Sequence, residues 1–205
     1  MLQIFYKDKP IIISDKKSDL NESLIIDIDL IKEINILTLL KKNKISSVGI
    51  KSKNPKKIIS KFKKKFPLIV AAGGKVLNNQ SEILFIYRNK KWDLPKGKVE
   101  KYENISQAAI REVVEETGIE KISLIRPIEK TFHIFKRGKN HYLKCTYWFE
   151  MKSNFDGKFI PQKKEGITRV EWINEENLLN VLPKSYANIR LLFNYNKTDL
   201  GTNFS

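Results

Sequence analysis

Cysteine is almost missing from this 205-residue chain, and acidic residues are scarce beside basic ones. A single cysteine excludes an internal disulfide. Cys145 lies in the alternating stretch Leu143, Cys145, Tyr147, Phe149, which reads as one face of a strand, so it is expected to be a buried structural thiol. Long apolar runs are lacking too. The longest, Phe66 to Ala72, is broken at once by Gly73 and Gly74 and falls far short of the ~20 residues of a membrane span. The opening MLQIFYKDKPIIISD interrupts its apolar residues with Lys7, Asp8 and Lys9 and lacks a small-residue cleavage site. A soluble, cytoplasmic protein with no membrane partner is therefore expected.

What is present in excess is lysine. Lys and Arg number 39 against 23 Asp and Glu, a formal charge of +16. Such a charge suits a nucleic acid, a polyanionic small molecule or a compositional bias, and does not choose among them. The lysines run through the whole chain with many Ile and Asn, which favours bias, with steering of a polyphosphate as a secondary benefit. At 41% hydrophobic, the chain has enough apolar material for one α/β domain and a smaller module.

The pattern changes near Phe66 and Pro67. Upstream, Leu2 to Tyr6 and Ile11 to Ile13 flank a polar turn and predict a hairpin. Leu24 to Ile28 alternates as a strand, Leu30 to Leu40 has helical spacing, Ile45 to Ile50 predicts a strand, and Pro55 to Phe66 an amphipathic helix. Residues 1–66 hold 16 lysines against seven acidic residues, over half the excess charge. This is expected to be a small basic α+β module whose helical lysines form a solvated face, with partner or nucleic-acid binding as the functional alternative. Residues 67–205 form the second predicted domain. It has strands at Leu68 to Leu77, Ile83 to Arg88, Ile128 to Phe135, Tyr142 to Met151 and Thr168 to Ile173. A loop runs through Trp92 to Lys98, with a helix at Ile105 to Thr117 and one or two helices from Glu175 to Asn194. The fold class is α/β (α+β), a mixed sheet packed between helices.

Residues 97–119, GKVEKYENISQAAIREVVEETGI, carry the chemistry. Taking Arg111 as zero on a helical wheel, Glu115 falls at about 40°, Glu112 at about 100° and Glu116 at about 140°. Three carboxylates share one face, while Ile110, Val113, Val114 and Thr117 fall on the opposite side to anchor the helix. Glu112 and Glu116 are like charges at i, i+4, an unfavourable pair unless a cation lies between them. Such hard oxygen ligands suit Mg²⁺ or Mn²⁺ and a phosphorylated substrate.

The same residues satisfy G-x₅-E-x₇-R-E-U-x-E-E-x-G-U, with U aliphatic, at every position, and the segment resembles the box of the Nudix hydrolases. The likeness extends to about residues 67–195 and implies the Nudix fold and cleavage of a phosphoanhydride. It implies that Glu112, Glu115, Glu116 and backbone oxygen at Lys96 and Gly97 hold the metal, that Glu103 orients Arg111, and that Arg111 holds the glutamates. Glu112 or Glu165 would take the proton of the attacking water. WDLPKGKVE, Lys130-Thr131-Phe132-His133 and Tyr142 to Phe149 resemble the branch that contains dinucleoside polyphosphate hydrolases and diphosphoinositol polyphosphate relatives. That resemblance implies phosphate contacts from Arg88, Lys96 and Lys98; by position, His133 could reach a distal phosphate and Tyr142 stack on a base, against ordinary hydrogen bonding and core packing. The proline often found some sixteen residues past the box in ADP-ribose pyrophosphatases is replaced by Ile134 and Phe135, which disfavours that substrate. The expected substrate is a nucleotide or other polyphosphate small molecule. The alternatives are the 5′ end of an RNA, or a sensor that binds a nucleotide without cleaving it.

Overall fold

A computed structural model describes residues 1–27 and 35–195. They form two compact units, Met1–Ile69 with Thr131–Cys145, and Val70–Lys130 with the chain from Thr146 onward. The helix expected over Leu30 to Leu40 lies partly outside the described residues.

In the first unit β1 (Leu2–Tyr6) and β2 (Lys9–Ser14) form an antiparallel hairpin. Its turn puts Lys7 at φ 56°. Next come β3 (Leu24–Ile25), α1 (Ile36–Lys41), β4 (Val48–Lys51) and α2 (Pro55–Lys65). Strands β2 and β3 both run parallel to β4. Ile4, Ile11, Ile13, Val48 and Ile50 are fully buried. The Asn54 side chain accepts from the Lys57 N–H and Pro55 occupies the first turn, which is why α2 begins where it does. It buries Ile58, Ile59 and Phe62 and exposes most of its lysines.

The second unit contains most of β5 (Leu68–Leu77), with β6 (Ile83–Arg88), β7 (Lys91–Asp93), β8 (Lys96–Lys98) and α3 (Ile105–Thr117). The start of β9 (Ile122–Arg137), the end of β10 (Asn140–Ser153), β11 (Ile167–Ile173), α4 (Glu175–Val181) and α5 (Ala187–Leu192) follow. Its strand order is β11-β6-β5-β10-β9. Alternation along β6 separates two cores. Leu84 and Ile86 pack with Ala108, Ala109 and Val113 of α3, whereas Ile83 and Phe85 pack with Val181, Leu182 and Ile189. The sheet is therefore covered by α3 on one face and by α4 and α5 on the other, the layered arrangement expected.

Three elements differ from expectation. The loop around Trp92 to Lys98 contains two short strands, because β7 pairs with β6 and β8 with β5. Strands β9 and β10 run beyond their apolar stretches and lie side by side in the sheet. Thr131–Cys145, placed by sequence in the second domain, belongs to the first unit. There Phe132, His133 and Ile134 pair in parallel with Ile4, Phe5 and Tyr6. Cys145 is buried.

Candidate active site

Helix α3 is fixed at both ends. Asn104 caps its start by accepting from the Ser106 N–H at 2.9 Å, and Gly118 ends it at φ 71°, a left-handed conformation suited to glycine. A side chain at Gly118 would also run into Ile160. Between these ends the buried face includes Ala108, Ala109, Val113, Glu116 and Thr117. This corrects the wheel in two places: Glu116 is 1% exposed, whereas Val114 is 38% exposed. The wheel fixes angles but not which arc meets the sheet, and partners supplied by β6 and β8 draw Glu116 inward.

Those partners are explicit. The Lys96 N–H donates to Glu116 Oε2 at 2.8 Å, and Arg88 Nη1 donates to Oε1 at 3.2 Å. The antiparallel register Gly73↔Lys96 and Ala72↔Gly97 presents the Lys96 amide. It depends on close approach: a Cβ on Gly73 would run into Pro95 O, and one on Gly97 would overlap the Glu112 carboxylate. Burial raises the Glu116 carboxyl to about 7, against the opposing pull of Lys96 and Arg88.

Arg111 is the second centre. It donates from Nε and Nη2 to the two oxygens of Glu103 at 2.7 and 2.9 Å, and from Nη1 to Glu112 at 2.8 Å and Glu115 at 3.1 Å. Nη2 also reaches the Lys98 carbonyl at 3.1 Å. All five guanidinium protons are thereby used inside the protein. The Arg111 hydrogen bonds hold the Glu103 carboxyl down at about 2. Glu112 is pushed up by desolvation, with Arg111 opposing.

Glu165 sits on a short 3-10 turn, Lys163–Glu165, before β11. Its carboxylate lies 3.5 Å from Arg88 Nη2, so Arg88 touches both Glu116 and Glu165. Lys96 is spent differently from expectation: its ammonium pairs with Asp93, and both side chains are nearly buried. Lys98 is exposed, 3.8 Å from Glu100. His133 and Tyr142 belong to the first unit, where Tyr142 stacks on Phe135 at 5.9 Å between centroids. The structure brings together Arg88, Lys96, Gly97, Glu103, Arg111, Glu112, Glu115, Glu116 and Glu165.

Two features escaped the sequence. Asp93 is 3% exposed and its Oδ1 accepts from the Leu94 N–H at 2.9 Å; the hint was an acid between apolar Trp92 and Leu94. The guanidinium of Arg169 lies over the rings of Tyr87 and Trp92 at 4.9 and 4.7 Å, a pairing no local spacing announces.

The chemistry of the donor set, the carboxylates of Glu112, Glu115 and Glu116, fits a hard divalent cation. Among the described residues no three His, Cys, Asp or Glu side chains are arranged as a ligand group. Glu112 and Glu115 share the charge of Arg111, and Glu116 that of Arg88. Buried acid balanced by arginine is an arrangement in which a cation can take over part of the neutralisation.

The model of one family, described as NUDIX domain, matches residues 67–193. The m7GpppN-mRNA hydrolase of Saccharomyces cerevisiae is 30% identical over 132 residues, which are 62% of this chain and 12% of that protein. The chain thus spans about an eighth of that relative. A putative 8-oxo-dGTP diphosphatase of Bacillus subtilis is 47% identical over 45 residues, 21% of this chain and 30% of that protein. The crystal structure of a MutT protein from Methanosarcina mazei superposes with a TM-score of 0.52 at 21% identity, covering 67% of this chain and 99% of that one. At that identity the likeness concerns the fold.

Proposed function

The chain belongs to the NUDIX domain family, and from that premise we propose that it is a metal-dependent pyrophosphohydrolase acting on a nucleoside diphosphate linked to a further group. A single observation carries the reading: Arg111 spends every donor on Glu103, Glu112, Glu115 and the Lys98 carbonyl. An arginine so committed positions acids and is not available to grip substrate.

In this reading Glu112, Glu115, Glu116 and backbone oxygen at Lys96 and Gly97 hold Mg²⁺ or Mn²⁺. The ion, when bound, offsets diphosphate charge and lowers the pKa of water. Glu103 fixes Arg111, which keeps Glu112 and Glu115 at a set spacing. Arg88 sets Glu116 against Glu165. Glu165 takes the proton of the attacking water, because Glu112 is held on Arg111 while Glu165 lies on a short turn with its side chain 55% exposed. Lys98 and Arg88 meet the outer phosphates of a dinucleoside polyphosphate or a (deoxy)nucleoside triphosphate.

A second reading has specific support. Relatives named as an mRNA-decapping enzyme subunit and an m7GpppN-mRNA hydrolase match 62% of the chain, and α2 presents a lysine-rich face that suits a phosphate backbone. The substrate would then be the 5′ end of an RNA. The experiment is a hydrolysis panel with Mg²⁺ over diadenosine polyphosphates, nucleoside triphosphates, 5′-triphosphorylated RNA and capped RNA, with products identified by mass. Cleavage of a phosphoanhydride in at least one, abolished by Glu116→Gln, is expected. Tight nucleotide binding without turnover would make the protein a sensor instead.

A further inference from the structure

A cavity of about 420 Å³ opens in the second unit beside the turn between β5 and β6, walled on its other side by the chain that leaves β10. It is separate from the glutamate site. Ile167 pairs with Arg88 at one end of β11, and Trp172, which lines the cavity, pairs with Leu84, four residues along β6 from Arg88, roughly 13 Å at the rise of a strand.

Its lining has two chemistries. Phe155, Phe159 and Trp172 form a half-buried aromatic run, with centroids 5.5 Å apart for the first pair and 5.9 Å for the second. Around them stand the side-chain amides of Asn79, Gln80 and Asn154, with Asp156 the one charged residue among the described residues of the lining. Asn78 shapes the rim and does not face a ligand. Its Oδ1 accepts from the Gln80 and Glu82 amides and its Nδ2 donates to the Glu82 carboxylate.

The wall is pinned. Ser153 Oγ donates to Glu120 O at 3.0 Å and accepts from the Phe155 N–H at 3.2 Å. Further along, Ile160 N–H donates to Thr117 O and Gln162 N–H to Glu116 O, at 2.8 and 3.2 Å. Gly157 matters here, since a Cβ at that position would meet the Phe155 ring at 2.8 Å.

We propose that this cavity is a second binding site, for a planar nitrogen heterocycle of nucleobase type. Aromatic faces stack any base, and side-chain amides match the donor and acceptor edge that a base presents. A phosphate is disfavoured because the lining contributes a carboxylate and no cation. A purely apolar ligand is disfavoured because it would bury amides without partners. Asp156 accepts from an exocyclic amine, so adenine, guanine and cytosine rings bind in preference to uracil. The base arrives either as a free nucleoside or within a single strand.

The test follows the three tryptophan indole N–H signals of the full chain by NMR without added metal. Adenosine, cytidine and uridine are titrated in, and in a second arm a short single-stranded oligonucleotide. The Trp172 signal is identified by its loss in Trp172→Phe. A saturable shift of that signal is expected, with Trp148, which is 1% exposed, unmoved. Adenosine and cytidine should act at lower concentration than uridine. Saturation by the oligonucleotide at lower base concentration than by nucleosides would mark a strand as the source, and the reverse a free nucleoside. Phe155→Ala should weaken binding about tenfold, the effect of removing a stacking ring. Asn154→Ala, at an exposed position, tests the amide edge without risk to the core. Glu116→Gln should leave the titration unchanged. No shift with any probe, or a shift abolished by Glu116→Gln, would overturn the proposal, and neither result depends on whether the chain hydrolyses anything.

Discussion

Helices α2 and α3 are nearly matched in length, at 11 and 13 residues, and both are crowded with charge of mainly one sign, yet they use it in opposite ways. Helix α2 carries six lysines, five of them exposed, and buries only Ile58, Ile59 and Phe62. Helix α3 turns its acids toward partners: Glu116 to Arg88 and the Lys96 amide, Glu112 and Glu115 to Arg111. Charge left in water costs little and contributes little. Charge withdrawn from water must be neutralised nearby, so it records a function or a structural commitment.

The largest expected effect breaks α3 at its buried acid. Glu116→Gln keeps the shape and one acceptor, enough for the Lys96 amide or for Arg88 but not for both, and removes the ligand charge. We expect kcat/KM for the substrate found in the hydrolysis panel to fall by about 10³-fold, the scale of several kcal/mol of metal-assisted stabilisation. A folded variant with undiminished turnover would remove α3 from the chemistry.

Glu165→Gln is expected to cost about 10²-fold in kcat, the low end of general-base contributions, and to flatten the acid limb of the pH–rate profile. If that limb persists and shifts only in Glu112→Gln, the base is Glu112. Arg111→Lys follows. One ammonium cannot reproduce a planar fork that serves three carboxylates, so activity should drop about 10- to 100-fold, as for other groups that orient ligands. The pH dependence of stability gives a separate reading of the same hub. Glu103 is held at about 2 against an ordinary 4.5, so its stabilisation is complete above about 4.5 and is lost as pH falls toward 2. Urea titrations between those pH values should show a steeper loss in the parent chain than in Glu103→Gln. Parallel slopes would mean that Arg111 does not hold Glu103 in solution.

Much of the site was legible because the box encodes it locally. Asn104 at the start of α3, Gly118 at its end and the acids between them lie within fifteen residues, and helical periodicity converts their spacing into geometry. The burial of Glu116 was not legible, because it depends on Arg88 and on an amide presented by β8, whose position follows from strand pairing with β5. Gly73 shows the limit well: a glycine inside a strand permits close backbone approach, but only the pairing identifies Pro95 and Lys96 as what approaches. For the same reason Thr131–Cys145 could not be assigned to the first unit from its alternation, since alternation says that a stretch is a strand and not which strand it joins. The aromatic and amide wall at residues 154–159 has no periodicity at all. It is assembled by hydrogen bonds to α3 and its following turn, not by a local rule.

The smallest expected effect lies on α2. Replacing Lys56, Lys63 and Lys64 together with glutamine removes three exposed charges and no buried contact. Stability in urea should therefore stay within about 0.5 kcal/mol of the parent. Binding of a 5′-triphosphorylated single-stranded RNA decides what those charges are for. If α2 grips phosphates, log K against log salt should lose up to about 2 units of slope, near 0.7 for each contact removed on a single strand. If the slope is unchanged while the α3 variants still lose turnover, α2 is only a solvated face. A small-molecule polyphosphate then becomes the better-supported substrate, because the part of the chain with the greatest excess of positive charge would have no part in holding a nucleic acid.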